Sequence, residues 1–320
     1  MEETDKYTYL GEVINKNLNL KDQIKNIEQK VEAAYQTMVA IAEDQNFKNI
    51  KMECIWKLVK TCIEPIITYA SETWEPNKGE LKKLNQILDK IIKRILMTPE
   101  ATPREALYIE TGLLDVETMI DIKRLNMMAR LNREKSDMMS IVLMNPESKW
   151  MKKTKEIMLK YNIEEDDLRG SKEKAHEAIT HGAHMRMYTH VNRVRNEKSK
   201  LKYFLDGKIS WTAEQPADYM MKMTRKQAST IFKARTRMTK VKGNYKNEFP
   251  VQMYRACKTH PETQAHALSD CENIHNNNSA STESTKIKCD YTDLFSELTF
   301  DLKDVATKIE NICEKLIEME

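Results

Sequence analysis

Residues 20–41 read LKDQIKNIEQKVEAAYQTMVAI, and this stretch decides the fold class. Leu20, Ile24, Ile27, Val31, Ala34, Met38 and Ile41 follow one another in alternating steps of four and three. That spacing places all seven on one stripe of an α-helix. Such a stripe can zip onto a second copy as a coiled coil. Within a chain that holds other amphipathic segments it packs against neighbouring helices, and we read it as one wall of a bundle.

The segments around it extend the same pattern. Upstream, KYTYLGEVIN at 6–15 reads as one short strand, because Tyr7, Tyr9, Val13 and Ile14 favour extended backbone and Gly11 interrupts it. Downstream, Met52, Ile55, Trp56 and Val59 face inward from a helix over 51–62, which Pro65 ends or kinks. Leu84, Leu88, Ile91 and Ile95 mark a helix over 81–97. Thr102, Pro103 and Glu105 form a helix start, with Thr102 as the cap, and Asp115 caps a further helix through Leu131. Residues 1–135 are therefore expected to be a strand followed by a helical bundle. A polar linker with Pro146, the acidic run Glu164–Asp167 and Gly170 is expected over 136–172. A basic helical region follows over 173–248, with helices near 173–205 and 224–240, the second opened by a Thr224–Gln227 capping box. A Cys/His segment covers 249–275. The low-complexity stretch 276–289 is expected to be disordered. An acidic amphipathic helix closes the chain over 290–320, with Val305, Ile309, Ile312 and Leu316 on one face.

The expected fold class is mainly α, and composition agrees. Seven glycines and eight prolines in 320 residues are too few for the turns of an all-β fold, and 40% apolar residues can fill a core. The length fits two domains. The opening MEETDK is not a signal peptide, and no apolar run approaches the ~20 residues that span a bilayer. An intracellular protein without membrane contact is expected, its six cysteines present as free thiols.

The net charge of +3 hides an asymmetry. Residues 171–248 carry 18 Lys and Arg against seven Asp and Glu, whereas 290–320 carry three Lys against nine acids. A basic block in a near-neutral chain suits a polyanionic partner, although charge runs are often only solvated faces. From Tyr219 to Asn247 there is no acid at all. Arg225, Lys226, Lys233, Arg235, Arg237, Lys240 and Lys242 are the candidate contacts to RNA or DNA. Tyr219, Phe232 and Tyr245 interleave as stacking rings, though Phe232 with Ile231 suits a core better. Further on, Cys257, His266, Cys271 and His275 are spaced C-x8-H-x4-C-x3-H, and thiolate and imidazole are the ligands zinc prefers. Tyr254 stands where the first member of a C-x2-C pair would be.

Other constellations are weaker. Glu173 and His176 give one Glu-x-x-His pair beside His181, His184 and His190, but a di-iron bundle needs two such pairs. The acidic run Glu164–Asp167 lacks apolar strands to hold carboxylates around metals and reads as a solvated loop. No P-loop, dinucleotide fingerprint, nucleophile elbow or zinc-protease helix is present.

Several segments taken in order carry a resemblance: YLGEVI at 9–14, KVEAAYQTM at 30–38, CIEPIITYASETW at 62–74, PREALYIETGLLD at 103–115, KARTRM at 233–238 and CKTHPETQAHALSDC at 257–271. Together they resemble the carboxy-terminal part of non-LTR (LINE-type) retrotransposon reverse transcriptases. The resemblance implies a last palm strand at 6–15 and a helical thumb after it that grips the template–primer duplex. It further implies a basic linker that holds RNA or DNA, a CCHC zinc knuckle and a nuclear place of action. The family's Tyr-x-Asp-Asp signature does not occur in these 320 residues, so polymerase activity is not expected of this chain alone. It would depend on a palm domain; a homo-oligomer is a further expected partner. Tyr254 departs from the knuckle's first cysteine, and His275 or His260 is available in its place. The alternative expectation is a helical scaffold protein that acts through the heptad stripe and the acidic tail.

Overall fold

Residues 6–15 fold as a hairpin rather than one strand. Strand β1 (Lys6–Tyr9) pairs antiparallel with β2 (Glu12–Asn15) across a two-residue turn. Leu10 and Gly11 both have positive φ (47° and 89°), as the tight turns that match strand twist require. The glycine expected to interrupt a strand reverses it instead. The computed structural model describes residues 4–43, 48–134, 144–195, 216–239, 253–254, 257–264, 266–267 and 302–318, with the single residues 141, 197, 201 and 241.

The described residues are mainly helical. In chain order the helices are α1 (Lys21–Glu43), α2 (Met52–Leu58), α3 (Glu64–Ile67), α4 (Lys78–Ile95), α5 (Arg104–Thr111), α6 (Val116–Arg133), α7 (Lys149–Tyr161), α8 (Glu165–Arg169), α9 (Lys172–Arg195), α10 (Asp218–Lys222), α11 (Arg225–Arg235) and α12 (Leu302–Glu318). They group into two compact units. One gathers Met1–Ile41, Lys57–Ile91 and Leu114–Val194; the other gathers Ala42–Trp56, Ile92–Leu113 and Arg195–Glu320. The sequence suggested consecutive regions, whereas each unit draws on three separated segments.

In the first unit the stripe of α1 is buried at Ile24, Ile27, Val31 and Met38, so it is a bundle wall as expected. Toward its end Tyr35 is buried beside a half-buried Ala34, and Ile41 is 69% exposed. A straight helix of 3.6 residues per turn drifts by ~20° per heptad, and this rotates the last stripe positions out of the core. Leu20 donates its amide to Glu80 at 2.9 Å, and Lys90 pairs with Glu32, so α1 lies alongside α4.

Pro65 does not end the second helix. The chain continues through a π-helical turn at Val59–Ile63 into α3, where proline occupies the first turn and its missing N–H costs nothing. Asp115 caps α6 as expected, accepting from the Thr118 amide at 3.0 Å. Thr102 does not cap α5: Pro103 holds that place, and the Thr102 hydroxyl donates to the Pro99 carbonyl.

The expected linker over 136–172 contains two helices. Ser148 caps α7, whose face Met151, Thr154, Ile157, Met158 and Tyr161 is buried, and Asn162 ends it in the left-handed conformation. The acidic run is the start of α8. Glu164 and Asp167 form a capping box, and carboxylates there oppose the positive end of the helix dipole. Its polarity therefore reflects a helix terminus rather than a loop. Helix α9 then lays Ala175, Ile179 and Ala183 on the core of Leu125, Met128, Met158 and Tyr161. Gly182 is what permits the approach, since a Cβ there would sit 2.5 Å from the Tyr161 carbonyl oxygen.

In the second unit α11 and α12 pack on one another. Val305, Ile309, Ile312 and Leu316 of α12 are all buried, and so are Ile231 and Phe232 of α11. The Thr224–Gln227 capping box is present at the start of α11. Ile24, Ile27, Val31 and Met38 of the heptad stripe and the apolar face of α12 are thus covered within the chain. Residues 276–289, expected to be disordered, lie outside the described residues.

Candidate functional site

The candidate nucleic-acid contacts on α11 do not form one exposed row. Arg225 is 6% exposed. It donates from Nε to the Ile95 carbonyl and from Nη2 to the Arg94 carbonyl, each at 2.7 Å. The last carbonyls of a helix lack partners within it, so a cation there both satisfies them and meets the negative end of the dipole. Ser229 donates to the next carbonyl, that of Leu96. Arg235 is also interior. Its Nε donates to Glu110 Oε1 at 2.8 Å, and the two side chains are 4% and 1% exposed. The guanidinium lies over the Tyr219 ring at 5.5 Å. Burial, then the neighbouring Glu110 charge, pushes the Tyr219 phenol well above its ordinary range.

Lys226 extends outward, but toward the acidic helix. Its Nζ is 2.8 Å from Glu310, which also accepts from Thr230 at 3.0 Å. That hydrogen bond, with the charges of Glu310 and Glu314, raises the Lys226 pKa. Lys233 and Arg237 are half-buried, and Arg237 has a left-handed φ of 55° just past the end of α11. Tyr219 and Phe232 are buried, so neither ring presents a face to solvent. Lys240, Lys242 and Tyr245 lie outside the described residues. Arg225 and Arg235 are thus interior cations rather than surface contacts. Their partners are more than a hundred residues away in sequence, so local pattern does not reveal these contacts.

A different helix presents what α11 does not. The buried face of α9 is Ala175, Ile179, Ala183, Met187, Val191 and Val194. Its opposite face exposes Lys174, His181, Met185 (50%) and Tyr188 (52%), while Arg186 and Arg193, seven residues apart, are exposed along the flank of the buried face. No acid occurs between Ala178 and Arg195. Arg186 also rests over the Tyr161 ring at 5.7 Å and its charge is felt by the Glu117 carboxylate, and Arg193 meets His190 Nδ1 at 3.3 Å. Glu173 and His176, which carry the di-iron spacing, are both exposed in the first turns of α9. A second basic area, at the mouth of a cavity of about 590 Å³ beside Trp74 and Arg124, is balanced by acids. There Lys160 pairs with Glu117 and Asp121, Lys153 with Glu156, and Lys152 with Glu147.

The Cys/His segment comes together around Cys257, His260 and His266, whose ligand atoms lie within 4.8 Å of one another. Cys257 Sγ is 3.3 Å from His266 Nε2. The Thr259 hydroxyl and amide, with smaller help from the His260 backbone and the His266 ring, push the Cys257 thiol down to about 5. The segment is tied to α11 by Gln264, which donates to the Ala234 carbonyl and accepts from Thr239, both at 2.7 Å. A group of one thiolate and two imidazoles could hold a metal. Cys271 and His275 lie outside the described residues.

No family model matches this chain, nor does any curated protein or solved structure. Function must therefore be argued from the sites themselves. Among the described residues no helix is long and apolar enough to cross a membrane.

Proposed function

We propose that this chain is a nucleic-acid-binding module, the helical carboxy-terminal region of a reverse-transcriptase-like polypeptide. It meets RNA or DNA through the outer face of α9. One observation carries the reading: a helix whose apolar face is locked into a core displays exposed lysine, histidine and arginine side chains and an exposed tyrosine ring on its remaining surface. Arginines neutralise phosphates, and an exposed ring offers a face on which any base can stack. Rigid support beneath them limits the entropy lost on binding. Zinc, held by the Cys/His segment, has a structural part in this reading, since so short a segment has little core of its own. No catalytic step is assigned to the chain, and primer extension by it alone is not expected.

The test is binding of a fluorescent single-stranded RNA, followed by anisotropy across salt concentrations. With about four cations engaged, log K falls against log salt with a slope of about −3. Replacing Arg186 and Arg193 together with Ala flattens the slope by about 1.4, at ~0.7 per phosphate contact. Tyr188→Ala leaves the slope alone and weakens binding about tenfold, the value of one stacked base. Salt-independent binding, or variants that bind as the parent does, would refute the assignment.

A further inference from the structure

We propose that His260 takes over the metal-ligand place vacated at residue 254, so that zinc is held by Cys257, His260 and His266. This rests on the reading of the segment as zinc-holding and names which residues do it. Structural zinc sites pair their first two ligands at a spacing of C-x2-C or slightly more, on a tight turn. Counting from Tyr254, Cys257 would be the second member of that pair. Counting from Cys257, the same two-residue gap ends on His260. The pair is preserved and moved three residues along the chain.

The backbone supports the moved pair. The Tyr254 amide donates to the His260 carbonyl at 2.7 Å, and the Tyr254 carbonyl accepts from the Lys258 amide at 2.8 Å. Met253 and Pro261 bridge across the same turn, and Lys258 adopts the left-handed φ of 57° that closes it. Tyr254 is fully buried, with its ring edge-on to that of His266 at 5.0 Å. It has become part of the scaffold that aims the ligands. His266 follows the Thr263 hydroxyl, which accepts from the His266 amide at 3.1 Å and fixes the start of that turn.

The distances fit. With Zn–S of about 2.3 Å and Zn–N of about 2.0 Å, ligand atoms on a tetrahedron stand roughly 3.3–3.6 Å apart. Cys257 Sγ and His266 Nε2 are already at 3.3 Å, and the widest separation in the trio is within 4.8 Å. The His260 ring lies 5.0 Å from that of His266, centre to centre, and is exposed; the trio supplies three of the four positions of a tetrahedral zinc.

The experiment uses the full chain, purified without chelator, and metal analysis followed by Co²⁺ substitution. The expected result is one metal per chain and a thiolate-to-cobalt charge-transfer band. His260→Ala should lower metal affinity by at least ~100-fold, above the loss seen when only a supporting group is removed. His260→Cys should restore binding and strengthen the charge-transfer band, because a second thiolate joins the first. The rescue separates loss of a ligand from loss of the fold. A parent chain without metal overturns the zinc reading itself and this proposal with it. A parent chain that holds zinc, together with a His260→Ala variant that holds it equally well, overturns the ligand assignment alone. No nucleic acid enters either measurement, so the outcome is independent of the RNA-binding test.

Discussion

Replacing Arg235 with Ala should unfold the second unit far more readily than it should affect nucleic-acid binding. The Glu110 carboxylate is 1% exposed and receives the Arg235 Nε at 2.8 Å. Without the guanidinium it would be an uncompensated charge in the interior, a change that costs about 3–5 kcal/mol. At about 2–4 °C per kcal/mol for a domain of 150–250 residues, the melting temperature falls by roughly 6–20 °C. Urea titration followed by far-UV circular dichroism gives the loss directly. A double variant, Arg235→Met with Glu110→Leu, removes both charges and keeps most of the volume. It should recover the stability of the parent within about 1 kcal/mol or exceed it, because the desolvation of both ions is removed as well. The salt slope of RNA binding should not move in Arg235→Ala measured where the variant is folded, since an interior guanidinium releases no counterion. A cost under about 1 kcal/mol, the value of an exposed pair, would refute this reasoning, as would a double variant no more stable than the single one.

Other substitutions probe other contacts. Arg225→Ala strips the carbonyls of Arg94 and Ile95 of a charged donor and should cost about 1.5–3 kcal/mol. Arg225→Lys, with one ammonium in place of the fork, should recover only part of it, and an unchanged urea midpoint for Arg225→Ala would show that α4 ends well without it. Gly182→Ala gains up to about 1 kcal/mol of helix propensity but forces a methyl to 2.5 Å from the Tyr161 carbonyl oxygen. Overpacking of about 1–3 kcal/mol should win and lower the melting temperature; a rise would mean that α9 shifts without cost. Burial raises the Glu64 carboxyl from 4.5 to about 7 against the pull of Lys60 and Lys123. The folded state then binds more protons than the unfolded one between those values, so stability falls as pH rises from 4.5 through 7. Glu64→Gln should remove that fall and be more stable above pH 7 by at most about 3 kcal/mol, with no gain below pH 4. Parallel pH–stability curves for parent and variant would contradict it.

What the sequence reveals here is what is local. Ile24, Ile27, Val31 and Met38 of the α1 stripe, the Asp115 cap, the Thr224–Gln227 box and the apolar face of α12 each depend on residues within one or two turns, and these stand where periodicity and capping rules place them. The hairpin was within reach too: two β-prone runs separated by Leu10–Gly11 are a two-residue turn signal. Gly182, alone inside a helical pattern, carried the mark of a close packing contact. The acidic run misled because a capping carboxylate and a loop carboxylate look alike until the next turn is considered. The fate of the arginines was not legible. Arg225 reaches Ile95 across 130 residues and Arg235 reaches Glu110 across 125, and nothing in the intervening composition encodes those meetings. His260 was legible only as a candidate, and the turn that Tyr254 clamps is what brings it beside Cys257 and His266 in the proposed site.

The basic block therefore divides into two populations with different physical roles, and its total charge is a poor guide to what it binds. On α11 the cations complete a fold: Arg225 closes the end of α4, Arg235 neutralises Glu110, and Lys226 is matched by Glu310 on the acidic helix. These charges exist because helix ends and buried carboxylates need them, and they would be present in a protein that never met a polyanion. On α9 the arrangement is inverted. The interior face needs no charge, being alanine, isoleucine, methionine and valine, and the arginines stand outside with no carboxylate from Ala178 to the end of the helix. That exposed charge, on a helix that also displays Tyr188 and is held on a rigid core, is the surface we propose for RNA or DNA. Counterion release counts only phosphates that are neutralised, so the measured slope should report the handful of cations on α9 and not the surplus of the whole block.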